Sequence, residues 1–333
     1  MVEKFGNITP VPGKLVIGSL GSLDLPDGTP VRLPAMVLQG TQPGPTFLIH
    51  GVVHGGELIG AEVLRVLMRE KLDPNKLKGT VVAIPVANPL GFQFGSRTTP
   101  SDEENLGGSF PGNNKGGTTE RLAAMIWENV LKANYLLDIH GNFPPCTCFT
   151  LLNLSAGDEK TREVAAKMAE AFGLTIVYSK PMTGTTEGMG GVRGESSCAL
   201  DAGIPAIAIE LHDARRVSLY SVDIAVRGLI NVMKRLGMLE GEIEKQPTDA
   251  LYGNGSVENA GMLTANRGGI LHIDKEPGKL VKGGEVIARI RNLYGDIVDE
   301  VRLPFDGYVR AFTYRYHQAV AAGDTVAYVT KDR

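Results

Sequence analysis

Residues 45–68 read PTFLIHGVVHGGELIGAEVLRVLM. The first part, PTFLIHG, is a short apolar run closed by glycine, the pattern of a buried strand. From Glu57 the period changes. Ala61, Leu64, Leu67 and Met68 recur at intervals of three and four, which puts one apolar stripe on a helix. A buried strand that feeds a helix through His-Gly-Gly-Glu is the building unit of an α/β layered fold.

The neighbouring segments extend that unit in both directions. Upstream, KLVIGSL from Lys14 and PVRLPAMVLQG from Pro30 read as strands, separated by turn chemistry at Pro26-Asp27-Gly28 and Gln42-Pro43-Gly44. Downstream, GTVVAIPVAN (79–88), YLLDIHG (135–141), CTCFTLLNL (146–154), LTIVY (174–178) and PAIAIEL (205–211) are apolar strands. Helices are expected over 56–72, from Thr118 or Thr119 to about Lys132, over about 157–172, in SSCALDAG (196–203), and from about 222 to 236, before Gly237. The polar, glycine-rich stretch 89–117 is long for a connection without structure, and such loops usually carry function. Strands alternating with helices predict an α/β domain with a mixed, mostly parallel central sheet. Beyond about residue 250 only short strands and Pro-Gly, Gly-Gly and Asp-Gly turns remain. This divides the chain into an α/β domain over 1–250 and an all-β domain over 255–333.

Composition narrows the function. The 333 residues hold 34 Lys+Arg against 37 Asp+Glu, a formal net charge of −3. That balance offers neither a basic face for nucleic acid nor a polybasic membrane patch. No run reaches the ~18 apolar residues of a membrane span, and the first residues lack the apolar core of a signal peptide. The three cysteines, Cys146, Cys148 and Cys198, are an odd, sparse set, as expected of reduced, buried thiols in a cytoplasmic protein. Glycine is in excess, 42 residues or about 13%, against a usual ~7%. Tight turns and close backbone approaches are therefore expected, concentrated around a site.

Three places carry chemistry. His54 and Glu57, three apart at the start of the helix, can turn an imidazole and a carboxylate toward one cation. Taken alone the pair also fits a loop histidine beside an acid favoured by the helix dipole. His140, at the carboxyl end of YLLDIHG, stands where open α/β sheets place their ligands. Two histidines and one glutamate with an open fourth position form the hydrolytic zinc pattern. Asp138 fits a carboxylate that orients one of the imidazoles, or a residue on the other face of its strand. Glu210 ends an apolar strand, where a carboxylate is costly unless paired or working. It suits a general base toward water, or an ion pair with Arg215 or Arg216. His212 reads as a supporting or structural residue.

The segments GVVHGGELIGAEVL (51–64), NPLGF…R…FPGN (88–113), TTERLAAMIWENVLKANYLLDIHG (118–141) and GIPAIAIELH (203–212) are similar, in order and spacing, to the succinylglutamate desuccinylase/aspartoacylase family. The likeness runs over roughly residues 15–240. It implies a zinc-carboxypeptidase-like three-layer domain and one Zn2+ per chain, in an amidohydrolase that removes N-acyl groups from small amines or amino acids. His54, Glu57 and His140 match the family's metal ligands and Glu210 its general base. Arg97 falls where the family places an arginine that polarises the scissile carbonyl. One departure concerns the substrate. The family usually carries Asp-Leu-Asn-Arg before Phe-Pro-Gly, and the Asn-Arg pair grips a carboxylate. Here Gly107 and Gly108 occupy those two positions, and glycine cannot replace a guanidinium fork. Arg193 is the candidate replacement, with a solvated loop arginine as its equal alternative. Asn113 or Asn114 could supply hydrogen bonds.

The C-terminal segment resembles the family's second β-rich domain and the barrel-sandwich fold of biotinyl and lipoyl carriers. No lysine sits in a carrier-type tip; Lys275 and Lys282 lie in ordinary turns. A lid or an oligomer contact is the expected role, and Tyr314, Tyr316 and His317 could overhang the pocket. The glycine-rich GMGGVRGE does not open a long helix, so a dinucleotide loop is not expected. The expected partners are a small-molecule substrate and further copies of the chain as a homo-oligomer, without nucleic acid or membrane. Two other functions stay open: a carboxypeptidase- or esterase-like zinc hydrolase of a larger substrate, and a non-catalytic ligand-binding member of the fold.

Overall fold

The structure is a computed structural model that describes residues 4–142, 145–179, 194–212, 214–247, 256–312 and 319–332. In chain order the strands and helices are β1 (Lys14–Asp24), β2 (Pro30–Gln39), β3 (Gln42–Gly51), α1 (Ile59–Val66), β4 (Lys78–Ile84), α2 (Pro89–Phe94), α3 (Thr118–Val130), β5 (Tyr135–Gly141), β6 (Phe149–Asn153) and α4 (Glu159–Phe172). Then come β7 (Ile176–Ser179), α5 (Glu195–Asp201), β8 (Ala206–Leu211), α6 (Leu219–Arg235), β9 (Ser256–Thr264), β10 (Gly269–Ile273), β11 (Leu280–Val281) and β12 (Val286–Arg291). The last four strands are β13 (Ile297–Arg302), β14 (Gly307–Ala311), β15 (Ala319–Val320) and β16 (Thr325–Asp332).

One mixed sheet of 12 strands runs β1-β2-β4-β3-β5-β8-β6-β7-β9-β16-β14-β11. Its middle is parallel through β4, β3, β5 and β8, with β6 entering antiparallel to β8 and restoring parallel pairing with β7. The central strands read as continuous apolar runs because both faces are covered; Phe47, Leu48, Ile49, Leu136, Leu137, Ile207 and Ile209 are fully buried. Helices α1 and α4 pack against α6 and against the sheet, while α3 meets β1 and α5 meets β5 and β8. The helix boundaries follow capping chemistry. Asp158 accepts from Thr161 N at 2.7 Å to open α4, and Gly173 closes it in the left-handed region at φ 86°. None of the described helices is long and apolar enough to cross a membrane.

Three local expectations change. The 89–117 stretch is not without structure: Asn88 caps the short helix α2, and Leu106–Gly108 forms a 3-10 turn. The α3 terminus is capped from outside, because Asp102 accepts from both the amide and the hydroxyl of Thr119 at 2.8 and 2.7 Å. The helix after His54 begins at Ile59, so Glu57 lies in the preceding turn, closed by its amide donating to His54 O at 3.0 Å.

The C-terminal strands have a core of their own, built on Leu271, Ile287, Ile290, Leu303, Val309, Phe312 and Val326. They are nevertheless continuous with the main sheet. β9 pairs in parallel with β7, and Phe149, Val177, Val257, Tyr308 and Tyr328 form a small core across that junction. A second sheet, β13-β12-β10-β15, packs on this part. A sheet that crosses residue 250 could not be read from composition, because strand texture does not say which edge a strand joins.

Candidate active site

Register places the site. In the β3–β5 pair His50 lies opposite Asp138, and in the β5–β8 pair His140 lies opposite Glu210. The turn that carries His54 and Glu57 leaves β3 at the same end, so all these side chains meet beyond the carboxyl ends of parallel strands. Val52, at the exit from β3, has φ 59°, a conformation that costs a β-branched residue energy and is held by complete burial and by Asn88 N donating to its carbonyl at 3.0 Å. Gly55 is required by packing: a Cβ there would lie 1.9 Å from the carbonyl carbon of Gly91 in α2.

His54, Glu57 and His140 converge, with one ligand atom of each within 4.8 Å of the others. The outer nitrogens of the two rings are fixed first. Asn105 Oδ1 already accepts from Gly107 N at 3.1 Å, so it is the acceptor for His54 Nε2–H at 3.2 Å. His140 Nε2 lies 2.7 Å from Asp138 Oδ2, and as the donor of that pair it too carries its proton there. Each Nδ1 then faces Glu57, at 2.7 Å from Oε1 for His54 and 2.9 Å from Oε2 for His140. Two imidazole lone pairs against a carboxylate repel unless a proton or a cation stands among them. A buried N, N, O set with both rings held by outer acceptors is what a divalent ion such as zinc requires, so the residues present fit that ion.

The local charges act on these groups in different directions. Burial pushes the Glu57 carboxyl up, but the two imidazoles outweigh it and hold it well below the usual carboxylate range. Burial lowers His54, whereas His140, despite burial, is held well above its usual value by Asp138 and Glu57. Glu210 behaves in the opposite sense. Burial, with repulsion from Glu57 and Asp138, raises it to about 8 against the pull of His140 and Arg97. Its Oε2 accepts from Asn142 Nδ2 at 2.8 Å. Arg215 instead donates to Gly95 O at 3.1 Å, and His212 lies against the Tyr220 ring. Arg97 brings Nη1 to 3.5 Å from His54 Nδ1, at the opening of the group.

The expected substrate residues divide. Gly107 lies beside the metal-type group: a Cβ there would be 3.6 Å from His54 Nε2, ordinary contact, so a side chain would fit and none is present. Gly108 closes the same turn, donating to Asn105 O at 3.0 Å. Asn113 is not brought to the site. It is exposed, and its Oδ1 accepts from Lys115 N at 3.0 Å in a local turn. Asn114 donates to Glu128 at 3.0 Å, also on the α3 side. Arg193, Tyr314, Tyr316 and His317 lie outside the described residues.

Four participants escaped the sequence reading: Asn105, Asn142, His50 and Glu195. The available signals were a polar residue within the apolar run FLIHG and an acid opening a seven-residue helix. His50 is wholly buried between two carboxylates, with Nδ1 3.3 Å from Asp138 Oδ1 and Nε2 2.5 Å from Glu195 Oε2, neither contact aligned as a hydrogen bond. Both His50 and Glu195 are raised, Glu195 chiefly by burial and His50 by its two carboxylates against burial.

Fold and site together define an α/β protein of the hydrolase type, with an N, N, O donor set and a separate buried carboxylate at the carboxyl ends of its parallel strands. The chain belongs to the succinylglutamate desuccinylase/aspartoacylase family, whose catalytic domain matches residues 43–236. It is 27% identical, over 90% of its length and 86% of the relative's, to N-alpha-acetyl-L-2,4-diaminobutyric acid deacetylase of Halomonas elongata. Among solved structures it is similar to a succinylglutamate desuccinylase/aspartoacylase of Rhodobacter sphaeroides, at TM-score 0.80 and 26% identity, covering 95% of this chain and 96% of that one. It is also similar to the product-bound ectoine utilization protein EutE (DoeB) of Ruegeria pomeroyi, at TM-score 0.82 and 25% identity over 95% of both chains.

Proposed function

We propose that the protein is a zinc-dependent deacylase that hydrolyses the amide bond of a small N-acyl amino acid or N-acyl amine, on a zinc-carboxypeptidase-like three-layer frame. The observation that carries this is the locked Nδ1, Nδ1, Oε group of His54, His140 and Glu57 beside the buried Glu210 carboxyl. The Halomonas deacetylase supports the choice of an N-acetylated amino acid as the first substrate to try.

His54, Glu57 and His140 would hold one Zn2+. Bound there, the ion would supply Lewis acidity toward the amide carbonyl and make water acidic enough to serve as a nucleophile near neutral pH. Arg97 directs a guanidinium toward the same opening, where it would favour the negative charge that develops on the carbonyl oxygen. Burial raises Glu210 above an ordinary carboxylate, which brings its proton affinity nearer to neutral pH. Asn142 holds its Oε2, so Oε1 takes the proton from water and later delivers it to the departing amine. At Gly107 and Gly108 the turn presents no carboxylate clamp, which favours a substrate held elsewhere; Arg193 is the proposed contact. A small-molecule substrate without nucleic acid or membrane, a homo-oligomeric state and a cytoplasmic location remain expectations of the same reading.

The test is product analysis with zinc-loaded protein on N-acetyl-2,4-diaminobutyrate, N-acetylaspartate, N-succinylglutamate, a dipeptide and a simple ester. Release of amine from the N-acetylated amino acids is expected, with the dipeptide and ester untouched. Turnover of the dipeptide or ester alone would move the assignment to the peptidase or esterase reading. Bound zinc with no turnover of any of them would reject catalysis.

A further inference from the structure

Behind the metal-type group lies a second cluster, His50, Asp138 and Glu195, all buried. It holds the same residue types as the first group. His50 uses both ring nitrogens, Nδ1 toward Asp138 at 3.3 Å and Nε2 toward Glu195 at 2.5 Å. One ligand atom of each of the three residues lies within 4.8 Å of the others, so the two carboxylates stand close to each other as well as to the ring. The cluster is a buried imidazole in close contact with two acids.

Its connections run toward the site. Asp138 has one oxygen on His50 and the other 2.7 Å from His140 Nε2. Strand pairing fixes the first contact, since His50 and Asp138 are opposite each other in β3 and β5. Glu195 comes from elsewhere, the first residue of α5, and is 3% exposed. A buried carboxyl at that place is costly unless something uses it. The residue before it, Gly194, would set a Cβ 3.9 Å from the carbonyl oxygen of Gly107. The start of α5 thus lies between the turn beside His54 and the buried ring of His50.

We infer that Glu195 is a positioning residue: through His50 it holds the Asp138 carboxylate in place, and Asp138 in turn sets the ring of His140 so that Nδ1 presents its lone pair to the metal. This rests on the proposed metal centre. Without Glu195, His50 loses the partner on its Nε2 side and can swing toward Asp138 or away from it. The acceptor for His140 Nε2 then loses its fixed orientation. Outer-shell partners of metal-bound histidines commonly matter by about 10–100-fold in metal affinity.

The experiment measures zinc affinity by chelator competition, metal content per chain, the visible spectrum of the cobalt-substituted protein, and melting of the metal-free protein. It compares wild type with Glu195→Gln, which keeps the volume, and Glu195→Asp, which shortens the arm. Ile207→Val, a core change in the neighbouring β8, is the control for lost stability alone. Glu195→Gln is expected to bind zinc about 10-fold more weakly and to shift the cobalt bands, with Glu195→Asp between it and wild type. Ile207→Val should leave affinity and spectrum unchanged at a comparable loss of melting temperature. Zinc affinity within about twofold of wild type in both Glu195 variants, with only melting affected, would make Glu195 merely structural. A second equivalent of metal that disappears in Glu195→Gln would make the cluster a metal site and overturn the inference. Wild type that takes up no metal at all would instead bring down the proposed centre itself.

Discussion

Replacing Glu210 by glutamine should damage turnover and, in the metal-free protein, improve stability. The carboxyl is 5% exposed, and its pKa stands at about 8 against an ordinary 4.5. Between those values the folded chain holds a proton that the unfolded chain has released. Native stability therefore falls as pH rises from about 5 to about 8, and the loss is complete above that. At 1.36 kcal/mol per pH unit the full separation gives a ceiling of about 5 kcal/mol. Relaxation around the charge would leave roughly half of that in practice. The glutamine side chain is neutral at every pH and can still accept from Asn142, so the Glu210→Gln variant escapes this term. Melted without metal, the variant and wild type should nearly coincide at pH 5, and by pH 9 the variant should lie higher by roughly 5 °C. Loaded with zinc, the same variant should lose ~10²–10⁴-fold in kcat, about 2.7–5.4 kcal/mol of barrier, as expected for a general base. The assay is paired: scanning calorimetry of metal-free protein across pH, and amine release by zinc-loaded protein with metal content checked. A melting gap that does not widen with pH would refute the raised carboxyl. A kcat within tenfold of wild type with zinc retained would refute its role as base.

Three other outcomes follow from the same geometry. Arg97→Ala should lower kcat by about 10²–10³-fold with little change in zinc content, read by single-turnover kinetics; an unchanged kcat would remove Arg97 from the carbonyl. Asn105→Ala deletes the acceptor shared by His54 Nε2 and Gly107 N, and zinc affinity should weaken about 10-fold; chelator competition checks it. Gly55→Ala would press a Cβ to 1.9 Å from the Gly91 carbonyl carbon. It should cost more than ~3 kcal/mol, read as a fall in the denaturation midpoint at unchanged slope.

Much of the frame was legible in the residues because the signals were local. Continuous apolar strands such as FLIHG and YLLDIHG announced central parallel strands, and the period beginning near Glu57 announced a helix. The glycine excess pointed to close approaches, and Gly55 against Gly91 is one. His54, Glu57 and His140, the proposed ligand set, and Glu210, the proposed base, were nameable because such chemistry needs particular side chains at the ends of such strands. Other residues were named and are not brought together. Asn113 turns to its own loop, since an exposed asparagine satisfies a neighbouring amide more readily than a distant ligand.

Local sequence sets the alternation of elements, the texture change near residue 250 and the side-chain types at the carboxyl ends of the strands. These depend on neighbours a few residues apart. Long-range contacts fix the rest. Strand register set His50 opposite Asp138 and His140 opposite Glu210. Packing of α5 against β5 and β8 brought Glu195 under His50, and pairing of β9 with β7 carried the main sheet into the C-terminal strands. The reason is physical. A carboxylate within hydrogen-bond reach of a ring 145 positions earlier owes its place to burial and to pairing between distant strands. No short-range pattern in the chain records either.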